Sequence, residues 1–168
     1  QENPDQKNIL LQTLSRRATA YRLIGDFIHC EQDIDKIQAL TAQSPEHHKV
    51  TSNAFRERAL LNYSKGNFDQ ALNDIKTAEQ ISINMGDLAN QNQFAIDIGL
   101  IHRGLGNYDE AERYYTSALD YLQKYGNFNA LANLHNNLAF LYHKLGRYSE
   151  AVLHYEKAIE YAKFIKFT

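Results

Sequence analysis

The stretch Gly106-Asn107-Tyr108-Asp109-Glu110-Ala111 returns forty residues later as Gly146-Arg147-Tyr148-Ser149-Glu150-Ala151. Working outward, the same punctuation appears as Gly66-Asn67-Phe68-Asp69-Gln70-Ala71 and, more loosely, as Gly25-Asp26-Phe27. The glycines are separated by 41, 40 and 40 residues. Pro45, Gly86 and Gly126 fall 20 residues after the first three of them and form a second series. Together the two series absorb six of the eight glycines and one of the two prolines. A fixed period of this length means one supersecondary unit repeated along the chain.

The physical content of the unit is helix, tight turn, helix, turn. Glycine ends a helix by taking φ > 0 without a Cβ penalty. Asn67 and Asn107 are placed to cap the next helix, with Gln70 and Glu110 completing a capping box. Asn3-Pro4 and Ser44-Pro45 read as a cap followed by proline at the first helical position. This predicts helices near residues 4–24, 27–42, 45–64, 67–84, 87–105, 107–125, 128–145 and 147–165. No β-branched alternation is sustained anywhere, so the expected class is all-α. Small and large residues recur on one helical face: Ile98, Gly99 and His102 before the third turn match Leu138, Ala139 and Tyr142 before the fourth. After the turns, Ala111, Tyr115 and Ala118 match Ala151, Tyr155 and Ala158. A small residue lets two backbones approach, and the aromatic ring fills the space beside it.

These residues resemble the tetratricopeptide repeat, over nearly the whole chain. The period exceeds the about 34 residues usual for that family, which implies helices longer by about a turn. Such long repeats are similar to those of MalT-like signal-transduction ATPases with numerous domains, kinesin light chains and peptide-pheromone receptors. The resemblance implies a right-handed superhelix, an α–α solenoid of four hairpins, with repeats near 4–43, 45–85, 87–126 and 128–168 in a single domain. The first two units depart from the pattern. Arg17 and Arg58 stand where a large apolar residue belongs, Asn62 where an aromatic does, and Cys30 and Ile37 replace the alanines of the second helix.

Composition narrows the function. A net charge of -2 and a pI near 6.4 argue against a dedicated nucleic-acid binder. No apolar run approaches the ~20 residues that span a bilayer, and no signal-peptide pattern opens the chain. One cysteine excludes an internal disulfide and fits a reducing, cytoplasmic compartment. The first residue, Gln1, suggests a piece of a larger protein. Seven histidines show no metal-ligand spacing, and His102 reads as a core residue in an aromatic's place. No phosphate loop, nucleophile elbow or paired acid appears, so neither catalysis nor a cofactor is expected.

The resemblance places the first helix of each hairpin on the concave surface, and helical geometry then selects the side opposite the packing stripe. The expected groove residues are Arg16, Arg22, Arg56, Leu60, Tyr63, Leu100, Arg103, Asn133, Asn136, Asn137, Phe140 and Lys144. Five cations meet two carboxylates on these faces, Glu57 and Asp97. Leu60, Leu100 and Phe140 form an apolar strip at one-hairpin spacing. Asparagine amides donate and accept, suiting a peptide backbone, and arginine forks suit carboxylates. The bland alternative is a solvated polar face with ordinary charge mixing. The lysine–asparagine clamp of chaperone-tail binders is not expected, because Ser15 and Thr19 occupy the matching places.

The resulting expectation is a protein- or peptide-binding scaffold, the sensor arm of a larger MalT-like regulator, whose partner is acidic or carboxylate-bearing. Direct contact with nucleic acid or membrane is not expected. The alternative is a self-assembly segment, forming a homo-oligomer through the C-terminal end. There Tyr161, Phe164, Ile165 and Phe167 run to the terminus without a polar cap, and ~300 Å² of exposed apolar surface is near a monomer's limit, so the expectation is that the natural chain continues into a further hairpin or domain or that this end pairs with another copy.

Overall fold

The computed structural model describes residues 4–42, 47–125 and 128–165. The helices are α1 (Pro4–Leu23), α2 (Phe27–Thr41), α3 (His48–Ser64), α4 (Phe68–Asn84), α5 (Leu88–Gly104), α6 (Tyr108–Tyr125), α7 (Phe128–Lys144) and α8 (Tyr148–Ile165). Among the described residues there is no strand. Asn3, Ser44-Pro45, Gly126 and Phe167, all used in the sequence reading, lie outside them.

The chain forms two compact units, Gln1–Phe94 and Ala95–Thr168, with the division inside α5. The turn chemistry is the same in both. Gly25, Gly66, Gly106 and Gly146 have φ between 74° and 80°, and Gly86 has 67°. At the second turn the Gly66 N–H donates to the Tyr63 carbonyl at 3.0 Å and Asn67 N–H to the Asn62 carbonyl at 2.8 Å. That closure satisfies the orphan carbonyls of α3 and turns the chain directly into α4. It also corrects the capping expectation: the Asn67 side chain makes no cap bond. Its backbone angles, φ −84° and ψ 64°, are nearly those of Asp26, φ −82° and ψ 74°, so the difference between the two caps lies in the side chain and not in the backbone. Asp26 does cap α2, accepting from the His29 N–H at 3.3 Å, and Asp87 caps α5 through the Asn90 N–H at 3.1 Å.

In the first unit, Leu11, Leu14 and Ala18 of α1 pack with Cys30, Ile34 and Ile37 of α2 and with Ala54 and Leu61 of α3. Cys30 takes the packing place expected of it. Burial pushes its thiol up to about 11, so it stays protonated and inert. The two arginines in apolar places are explained here. Arg17 forks onto Asp33 at 2.7 and 2.8 Å, and Arg58 reaches Asp74 at 2.6 Å, with Asn62 donating to the other Asp74 oxygen at 3.0 Å. Each arginine meets an aspartate sixteen residues later, the facing position on the second helix of its own hairpin.

In the second unit Ile98 and Leu138 stand in the places of the arginines, and the places of Asn62 and Asp74 carry rings. His102 is buried and stacks on Tyr114 at 5.7 Å, and Tyr142 tilts against His154 at 5.2 Å. The core gathers Ala111, Tyr115, Ala118 and Leu122 of α6 with Leu131, Leu134, Leu138 and Leu141 of α7 and Ala151 of α8. Gly99 of α5 leaves room for a ring of α6: a Cβ there would sit 2.6 Å from the Tyr115 ring, which is fully buried. Gly99→Ala should therefore lower stability by about 1–2 kcal/mol, the cost of overpacking a ring that cannot swing out. Urea denaturation measures it, and an unchanged midpoint would show that Tyr115 has room to move. At the chain's end Phe164 is exposed, Ile165 is half-buried, and Tyr161 stacks on Phe128 and His135.

Candidate functional site

The first helices carry the residues singled out from sequence, and the structure treats them differently in the two units. In the first, Arg16 is exposed at mid-α1. Arg22, at the end of α1, donates to Glu57 of α3 at 2.9 Å, and both side chains are largely withdrawn from solvent. Arg56 lies 3.8 Å from the other Glu57 oxygen. Glu57 is thus held between two guanidinium groups, and one buried carboxylate offsets much of the positive excess expected here. Leu60 is buried, so it offers no surface to an apolar strip. The cause is local: α1 leans on α3 through the Arg22–Glu57 pair, one turn before Leu60. Tyr63 is half-buried with its ring 5.5 Å from Phe68.

In the second unit several of the named residues come together. Arg103 of α5 places its guanidinium 4.5 Å from the centre of the Phe140 ring on α7. The Lys144 ammonium lies 5.5 Å from the same ring. Arg103 also donates to the Asn137 side-chain oxygen at 3.5 Å, a long bond that leaves most of its five donors for other acceptors. Phe140 is 40% exposed, and Asn133 and Asn136 are exposed on the same helix. Leu100 is half-buried one turn before Arg103. The cation–π contacts hold two positive charges over a hydrophobic plate while keeping them near water. Chemically this can take an anionic or carboxylate group beside an apolar side chain, with asparagine amides for a peptide backbone.

Sequence reasoning named these residues but missed their partners. Arg22–Glu57 and Arg103–Asn137 are separated by 35 and 34 residues, the interval between facing positions on successive first helices. Reading the repeat at that offset, rather than only at forty, would have found both. Among the described residues no three His, Cys, Asp or Glu side chains gather as a metal ion would require. No described helix is long and apolar enough to cross a membrane.

Comparison with known proteins agrees with this architecture. The sequence model of the tetratricopeptide repeat matches residues 91–163. No curated protein matches the chain. Among solved structures, the Rap protein complexed with competence and sporulation factor is similar over 96% of this chain, with 18% identity and a TM-score of 0.86. Aspartyl phosphate phosphatase F from Bacillus subtilis is similar over 93%, with 12% identity and a TM-score of 0.83. A signal-transduction ATPase with numerous domains from Pyrococcus horikoshii, bearing a tetratricopeptide-repeat sensor, is similar over 93% with 24% identity and a TM-score of 0.76. The chain spans only 44%, 41% and 24% of those proteins, so these likenesses describe the fold. With eight helices among the described residues and one forty-residue register, the chain shares the fold of tetratricopeptide-repeat proteins, and residues 91–163 carry the repeat's own sequence pattern.

Proposed function

We propose that this chain is a peptide- or protein-binding module, the sensor arm of a larger MalT-like cytoplasmic regulator, and that it binds rather than catalyses. The observation that carries the reading is the Arg103–Phe140–Lys144 cluster on two successive first helices, with Asn133, Asn136 and Asn137 beside it. A structural role alone does not call for two cations on one exposed ring. Their mutual repulsion is relieved when an anion joins them, which favours a carboxylate-bearing segment. Two of the similar proteins support the reading: one was solved in complex with competence and sporulation factor, and the other carries a tetratricopeptide-repeat sensor.

The test uses fluorescent hexapeptide pools that differ only in ending as a free carboxylate or as an amide, read by anisotropy. The carboxylate pool should bind about ten-fold tighter, the equivalent of one charge-assisted hydrogen bond. Arg103→Ala with Lys144→Ala should abolish the difference while helicity is unchanged. Equal binding of both pools by the wild type, or the same preference in the double variant, would remove the reading.

A further inference from the structure

The places that carry rings can be followed through all four hairpins. Tyr21, Asn62, His102 and Tyr142 share one register place on the first helices, and Asp33, Asp74, Tyr114 and His154 share the facing place on the second. In the third and fourth hairpins both places hold rings, His102 on Tyr114 at 5.7 Å and Tyr142 against His154 at 5.2 Å. The first hairpin keeps one ring beside an ion pair. Arg17 is bound to Asp33, its guanidinium lies 5.7 Å from the centre of the Tyr21 ring, and that ring also stacks on His29 at 5.2 Å.

The second hairpin repeats the ion pair without the ring. Arg58 reaches Asp74 as Arg17 reaches Asp33, but Asn62 stands in the place of Tyr21 and Gln70 in the place of His29. A cavity of about 370 Å³ opens there, lined by Arg58 and Asn62 of α3, by Gln70, Asn73 and Asp74 of α4 and by Glu31 of α2. The three helices are interior to the first unit in sequence, so the cavity does not depend on where the chain begins or ends. Its volume is near the ~300 Å³ at which small-molecule sites begin.

The chemistry of the lining narrows what fits. The Arg58 guanidinium is fixed by three partners: Asp74, the Gln38 side-chain oxygen at 2.9 Å and the Phe55 ring at 4.9 Å. A planar cation held in one orientation is a stacking platform for an aromatic ring. Around it the lining is rich in acceptors. Asn62 gives an amide hydrogen to Asp74, and among the described residues nothing donates to its oxygen. The Gln70 and Asn73 carboxamides are exposed and have no side-chain partner among the described residues. Glu31 accepts from Lys65 through one oxygen and keeps the other. Such a lining suits a flat ring with N–H donors along its edge, and the carboxamides add donors for its ring nitrogens. The two carboxylates disfavour an anion.

We propose that this cavity binds a planar, N–H-bearing heterocycle of purine size, as a free base or nucleoside, stacked on Arg58 in the place where the first hairpin sets Tyr21. The ring comes from solution where the other hairpins supply their own. The site is separate from the Arg103–Phe140–Lys144 cluster, so either reading can fail without the other.

Isothermal titration calorimetry and saturation-transfer NMR test it with adenine and adenosine at millimolar concentration. Both should bind the wild type. The control is 1,3,7-trimethylxanthine, which keeps the two-ring frame without an N–H and should bind about ten-fold weaker or worse. Asn62→Tyr rebuilds the first hairpin's arrangement in the second, and should abolish binding with the urea midpoint held. Gln70→Ala with Asn73→Ala, both on the exposed side of α4, should weaken binding about ten-fold with helicity unchanged. This second variant decides the matter if Asn62→Tyr does not fold. Arg103→Ala with Lys144→Ala should bind adenine as the wild type does. The proposal is overturned by a wild type that binds neither probe, by equal binding of trimethylxanthine, or by unchanged binding in a folded Asn62→Tyr or in the α4 variant. Loss of adenine binding in the Arg103 and Lys144 variant overturns it too, because the base would then sit elsewhere.

Discussion

Replacing Arg58 by alanine should lower stability by about 3 kcal/mol, because it strands a carboxylate that has little access to water. Asp74 is 9% exposed, and Arg58 supplies its shortest contact, at 2.6 Å. Asn62 remains to donate one hydrogen bond but carries no charge. The informative comparison is the double variant Arg58→Ile with Asp74→Tyr, which installs the residues found at the same places in the third hairpin, Ile98 and Tyr114. Exchanging a withdrawn ion pair for apolar groups of suitable shape is often neutral or stabilising. The double variant should therefore recover to within about 1 kcal/mol of wild type. Urea midpoints at neutral pH compare the wild type, Arg58→Ala and the double variant. A double variant as unstable as Arg58→Ala would show that the ion pair does more than fill the place of an apolar contact.

That pair also marks where the sequence was readable and where it was not. Helix ends were legible because a glycine with φ near 80° is a requirement of the turn, and requirements repeat. The packing of Tyr115 against Gly99 was legible for the same reason: a ring needs a residue without a side chain opposite it. Arg17 and Arg58 looked like departures because the pattern was read one helix at a time. Their aspartates lie on the facing helix, and only the three-dimensional pairing shows that two positions changed together. The groove was legible as a set of faces but not as a set of charges. Arg22 and Arg103 sit at equivalent places, yet Arg22 is spent on buried Glu57 while Arg103 lies over an exposed ring. Burial of the acceptor decides between these outcomes, and burial depends on how closely neighbouring helices lean, which periodicity does not encode.

Acid should weaken the second unit through one buried histidine pair. The Nδ1 atoms of His135 on α7 and His154 on α8 are 2.9 Å apart, so one ring donates the shared proton and the other accepts it. Protonating the acceptor would put two N–H donors face to face. Burial, with the neighbouring His154 and Lys157 adding to it, pushes His135 down to about 4, and burial lowers His154 as well. The rings of Tyr142 and Tyr161 enclose the pair, while Glu150 and Glu112 act weakly in the opposite direction on His154. The sign follows from where the protons go. An unfolded histidine titrates near 6.5, above the folded value, so between those two values the unfolded chain binds more protons. The pair's contribution is complete above the unfolded value and is lost as pH falls toward 4. For His135 alone the loss by pH 4.5 is about 2–3 kcal/mol, from the difference of the two titrations at 1.4 kcal/mol per unit. Urea midpoints followed from pH 7.5 to pH 4.5 measure it, using tyrosine fluorescence, most of which reports on this unit. The variant His135→Leu with His154→Phe keeps the volume and removes both protons, so its midpoint should fall much less over the same range. If the double variant loses stability as steeply as the wild type, the acid sensitivity belongs to the surface carboxylates and not to this pair.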